Sequence, residues 1–207
     1  MTTKTVNLFT FEELSDSAKE KARNWWREVN NDDTFWSECT IDEAKEQGLN
    51  MGLEIKDIYW SGFCQQGSGA CFVGSWSAAN VKTGETAKDW GDSPATKEIR
   101  RIAAEFEQFA KDWPESSFSV THSGHYSHEY CTNFDVSLGE EADNNELVSP
   151  EQWRKESDSL IETARDYMRW IYRQLEKEYE YQNSDECIDE NILANEYTFL
   201  ISGKRED

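Results

Sequence analysis

The sequence of 207 residues predicts an α+β fold: an antiparallel sheet of four to five strands built from hairpins, with three to five helices packed mainly on one face. Three observations predict it. Several segments carry apolar residues at spacings of three and four, the period of a helix with one buried face. Paired runs of β-branched and aromatic residues are joined by turn chemistry rather than by helical crossovers, which implies antiparallel pairing. Hydrophobic residues make up only 37%, but 13% are aromatic and nine are Trp, so the core is expected to be aromatic-heavy. The length suffices for a single α+β domain, residues 1–207, without a disulfide or metal staple.

In chain order, a short strand from Thr5 to Phe9 leads into a helical stripe of Phe11, Leu14, Ala18, Ala22, Trp25, Trp26 and Val29. Thr10 with Glu13 fits a capping box and Ser15 offers a second start, so the first turn is expected to break. A second helix is expected from about Thr34 to Gln47, closed by Gly48. Leu53 to Phe63 and Ala70 to Ala79 read as a hairpin around Gln65, Gln66, Gly67, Ser68 and Gly69. Ser93 and Pro94 supply a cap and a first-turn proline for a third helix, which Pro114 ends. Its stripe is Ile99, Ile102, Ala103, Phe106, Phe109, Ala110 and Trp113. Ser117 to Gly124 and Glu129 to Leu138 form a second strand pair. After the polar linker Gly139 to Ser149, Pro150 opens the longest helix, with Trp153, Leu160, Ile161, Ala164, Tyr167, Met168, Ile171, Leu175 and Tyr179 on one stripe. A short helix near Asp185 to Asn195 and a strand from Tyr197 to Ser202 complete the order.

Lys and Arg total 21 against 42 Asp and Glu, a formal net charge of -21. That charge opposes contact with nucleic acid or anionic lipid and favours a basic partner surface. Five cysteines (Cys39, Cys64, Cys71, Cys131, Cys187) show no CxxC spacing and read as reduced thiols. The N-terminal stretch lacks the charged and apolar regions of a signal peptide, and no apolar run reaches the length of a membrane span, so a cytoplasmic protein is expected.

Three groups of residues stand out chemically. His122, His125 and His128 fall within one short segment, and converging imidazoles hold transition metals or act as general bases. Convergence requires Gly124 to break the strand into a turn, since alternation alone puts His125 on the opposite face. The loop Gln65 to Gly69 has the glycines of either an anion-cradling nest or a plain turn. Acidic residues gather in the linker (Glu140, Glu141, Asp143, Glu146) and in the late helix (Asp185, Glu186, Asp189, Glu190), where helical spacing gives one negative face. Such a face imitates the phosphates of DNA. The Rossmann fingerprint, the P-loop and the GxSxG elbow are not found in the sequence, so the reading leans towards a non-catalytic protein without a cofactor.

Three stretches, Phe9 to Arg23, Ile58 to Gly74, and Tyr197 to Phe199 with Gly203 and Lys204, resemble a family of phage and prophage proteins. Some of its members are named antitoxins of toxin-antitoxin stability systems. The resemblance implies a mobile-element origin and a bacterial host cell. Together with the charge it leads to three expectations: a protein that binds and inhibits a basic host defence or nucleic-acid-handling protein by DNA mimicry, an antitoxin-like neutraliser of a cognate toxin, or a metal-dependent enzyme using the three histidines.

Overall fold

The capping residues set where the helices begin. The Glu13 carboxylate accepts from the Thr10 N–H at 2.8 Å and from its hydroxyl at 3.1 Å, which closes a short 3-10 turn over Phe11–Glu13. Helix α1 then restarts behind Ser15, whose hydroxyl meets that of Ser17 rather than a helix N–H, and spans Asp16–Val29, so the first turn is broken. The computed structural model describes residues 6–30, 34–63, 66–139 and 149–206. In chain order these form β1 (Phe9–Thr10), α1, α2 (Trp36–Asn50), β2 (Met51–Ser61), β3 (Gly69–Val81), α3 (Pro94–Asp112), β4 (Ser117–His122), β5 (Thr132–Ser137), α4 (Pro150–Gln182), α5 (Asp185–Ala194) and β6 (Thr198–Phe199). The fold is α+β, with a four-stranded antiparallel sheet β2-β3-β4-β5 and a separate two-stranded sheet β1-β6. The described residues divide into two compact units, one of residues 39–176 and one of residues 1–38 with 177–207.

In the larger unit the buried side of the four-stranded sheet is aromatic. Trp76 of β3 stacks on Phe118 of β4 at 5.7 Å and meets Phe106 of α3 at 5.5 Å. Its indole N–H donates to the Met51 carbonyl at 2.8 Å. Gly52 makes that bond possible: it sits at a register shift with φ +84, and a Cβ there would lie 2.7 Å from the Ser77 carbonyl oxygen. Further along, Phe72, Tyr167, Trp170 and Trp90 form a continuous row of rings. The opposite side of the sheet exposes Ser119, Thr121, Asn133 and Asp135. Alternation of buried Phe118 and Val120 with exposed neighbours in β4 is what a sheet covered on one face requires.

The smaller unit closes around Phe11, Leu14, Ala18, Ala22, Ile188, Ile192 and Phe199, with Trp25, Trp26 and Tyr197 packed against them. The turn after β6 is fitted to α1 with no space to spare. Gly203 has φ +81, and a Cβ on it would lie 2.0 Å from the Ala18 carbonyl oxygen.

Four sequence expectations change. Gly48 does not close α2, which runs on to Asn50; instead it lets the helix approach β2, where a Cβ would meet Ile55 Cδ1 at 3.0 Å. The terminal strand is only Thr198–Phe199 and pairs with β1 rather than joining the main sheet. Strands β4 and β5 are shorter than read, because the chain from Ser123 to Cys131 folds into a hairpin tip. Trp153, Val29 and Tyr179, placed on apolar stripes, are exposed. The expected Thr5 start lies outside the described residues.

Gly203→Ala should lower stability by about 1–3 kcal/mol, because the added methyl must displace the α1 backbone and the residue keeps a positive φ. Urea denaturation followed by tryptophan fluorescence checks it.

Candidate functional site

The two hairpin tips of the main sheet meet, and their meeting brings two sequence-predicted groups together. A side chain at Gly67 would come within 3.0 Å of the Tyr126 ring, and one at Gly69 within 2.9 Å of the His128 ring and 3.1 Å of the Ser127 carbonyl. The two loop glycines therefore permit backbone-to-ring packing between tips, which accounts for them without an anion nest. Gln65 lies outside the described residues; Gln66 is exposed at the turn.

Gly124, with φ +113, does break the strand, yet the three imidazoles do not converge. His122 stacks on Tyr59 with centroids 5.0 Å apart, and its Nε2 lies 3.1 Å from the Tyr126 carbonyl, which can only accept. His125 meets Tyr126 edge-on at 5.5 Å. His128 stacks on Tyr130 at 5.5 Å, and its Nδ1 lies 3.0 Å from Glu129 Oε2 and 3.3 Å from the Tyr130 nitrogen. The Tyr130 N–H donates to that Nδ1, so the ring accepts from the backbone of its own hairpin tip beside the carboxylate. Each histidine is thus committed to a tyrosine. Among the described residues, no three His, Cys, Asp or Glu side chains group so as to hold a metal ion.

Beneath the tips, Glu129 is buried and reaches Arg169 at 3.4 Å. Arg165 lies over the Tyr130 ring at 4.8 Å and the Phe134 ring at 5.9 Å. Burial, aided by nearby Cys131, pushes the Cys71 thiol up to about 11, which leaves it a poor nucleophile. Cys39, Cys71, Cys131 and Cys187 are free thiols.

The acidic face of α5 is only partly available. Arg23 grips Asp189 with two bonds of 2.7 Å, Nε to Oδ1 and Nη2 to Oδ2, and Arg27 reaches Asp185 at 2.6 Å. Glu186 and Glu190 remain exposed. The linker acids Glu140, Glu141, Asp143 and Glu146 lie outside the described residues.

A second acidic feature escaped the sequence reading. Helices α3 and α4 enclose a groove of about 540 Å³ lined by Glu105, Asp112, Glu156, Glu162 and Asp166, with Arg101 among them. Arg101 and Arg169 both hold Asp166, at 2.7 Å and 2.5 Å. Burial pushes the Asp166 carboxyl up, but hydrogen bonds and charge from the two arginines outweigh burial and hold it below the usual carboxylate range. No local signal marks this groove, because its carboxylates lie on two helices far apart in sequence.

Residues 36–185 match the family described as a domain of unknown function, DUF8835. The chain belongs to the DUF8835 family. No curated protein and no solved structure matches it. The DUF8835 span contains all of the larger unit, and with it the joined tips and the α3–α4 groove. Among the described residues no helix is long and apolar enough to cross a membrane.

Asp166→Asn should cost about 1 kcal/mol at pH 7, the scale of a partly exposed ion-pair network. A depressed native pKa gives stability that is present above the unfolded carboxylate value of about 3.9 and is lost as pH falls through the lower native value. Urea midpoints of the wild type and Asp166→Asn should therefore begin to converge as pH falls below about 4 and meet only under the lowered native value.

Proposed function

We propose that this chain is a non-catalytic protein that binds a basic surface on a bacterial host protein and blocks the nucleic acid which that surface otherwise holds. The observation that carries the reading is the net charge of -21 together with the five carboxylates that line the α3–α4 groove. Grooves built to hold a phosphate backbone are lined with Lys and Arg, and a rigid row of carboxylates on a folded protein meets them with complementary charge. Both acidic features are partly neutralised from within the chain: Arg101, Arg165 and Arg169 pair with Glu105, Glu162 and Asp166 in the groove, and Arg23 and Arg27 with Asp189 and Asp185 on α5. The reading therefore takes in Asp112 and Glu156 of the groove and Glu186 and Glu190 of α5 as well. Likeness of three stretches to prophage proteins supports a bacterial cytoplasm as the setting and a defence or nucleic-acid-handling protein as the target.

The test is displacement from DNA. Bacterial lysate is bound to a DNA-cellulose column at low salt, and the purified chain is passed over it. Release of a discrete set of DNA-binding proteins is expected, falling steeply as ionic strength rises and the Debye length shrinks. A triple variant, Glu105→Gln with Asp112→Asn and Glu156→Gln, should release about tenfold less or lower still, since each lost charge removes part of the electrostatic attraction. Elution no greater than with an uncharged protein, or release indifferent to salt, overturns the reading.

A further inference from the structure

The joined hairpin tips hold two exposed tyrosines, Tyr59 and Tyr126, through one histidine, His122, a platform that no charge argument requires. Tyr59 is 41% exposed, Tyr126 56% and Tyr130 62%. Exposed rings ordinarily lose side-chain freedom when a partner covers them, but these are already held. Tyr59 lies on His122, His122 binds the Tyr126 backbone, the Tyr126 ring lies on Gly67, and Tyr130 is fixed by His128 and Arg165. Pre-ordered aromatic rings are the commonest anchors of protein interfaces, because little entropy remains to be lost on binding.

One carboxylate beside the rings and the chain's own arginine–ring pairs point to the occupant. Asp57, exposed two residues before Tyr59 on the same strand, adds a carboxylate beside the platform. The chain already pairs its own arginines with such rings: Arg165 over Tyr130 at 4.8 Å, and Arg205 over Tyr197 at 4.4 Å. A guanidinium is planar and weakly hydrated, so it stacks on an aromatic face while bonding a neighbouring carboxylate, which a compact ammonium does poorly. The geometry points to the Tyr59–Tyr126 pair, a platform joined through His122, as a docking surface for an arginine-rich segment of a partner protein, whose guanidinium groups stack on Tyr59 and Tyr126. This inference rests on the proposed basic partner and adds where it is anchored and why arginine is preferred to lysine.

Fluorescence anisotropy with labelled poly-arginine and poly-lysine peptides of equal length separates the two ideas. The wild-type chain should bind poly-arginine about threefold or more tighter than poly-lysine, the range a partly desolvated cation–π contact supports. Tyr59→Leu with Tyr126→Leu keeps apolar bulk but removes the π faces, and should abolish that preference while leaving poly-lysine binding unchanged. Circular dichroism confirms folding, and Tyr126→Leu alone serves if the double variant does not fold. Equal binding of both peptides by the wild type, or a preference that survives in the variant, overturns the platform and leaves the acidic reading standing. Binding of neither peptide overturns both.

Discussion

Tyr167 is the residue on which the larger unit depends. Its ring sits between Phe72 of the sheet and Trp170 of its own helix, and its hydroxyl donates to the Ala44 carbonyl of α2. One fully buried side chain thus ties β3, α4 and α2 together. Burial pushes its phenol well above the ordinary range, so the group stays neutral and keeps its proton for the Ala44 carbonyl. An apolar ring of the same size would fill the space but would forfeit that bond, at a cost of about 1 kcal/mol. Placement of α4 in turn fixes Arg165, Arg169 and Asp166. The charge network and the underside of the hairpin tips follow from a packing decision made in the core.

That same core explains which parts of the fold were legible in the sequence. Helix α3 was readable at its start because Ser93 and Pro94 act locally, and the Ser93 hydroxyl does accept from the Thr96 N–H at 3.1 Å. The hairpins were readable because turn residues separate β-branched and aromatic runs. Gly48 was misread because a glycine that permits close packing has the same letter as one that ends a helix, and only the position of Ile55 distinguishes them. Trp153 and Tyr179 were placed on an apolar stripe by spacing alone. Spacing says which face a residue shares; it does not say how far along the helix the covering surface extends.

The candidate sites were less legible, for a related reason. Asp185 and Asp189 form a negative face in sequence, but their partners Arg27 and Arg23 stand 158 and 166 residues earlier. No local pattern announces that pairing. The three histidines formed a cluster in sequence, and the fold disperses them because each imidazole finds a flat aromatic neighbour. What the sequence did contain, without its being connected, was the material of the joined tips: Gly67 and Gly69 on one hairpin, Tyr126 and His128 on the other.

Charge and aromatic surface divide the labour in a way that follows from their different ranges. In the proposed reading, carboxylates in the α3–α4 groove act over about a Debye length, 8–10 Å in physiological salt, and would govern how fast and in what orientation a basic partner arrives. They discriminate poorly between one cation and another, because a screened charge senses little of the shape of the group that carries it. Tyrosine rings act only at contact and sense shape and hydration strongly. A chain of net charge -21 attracts many basic surfaces, so selectivity has to come from contacts made after encounter. The rings at the hairpin tips are held in place by Gly67, Gly69, His122 and His128, so on the proposed reading they would supply that selectivity with little further ordering.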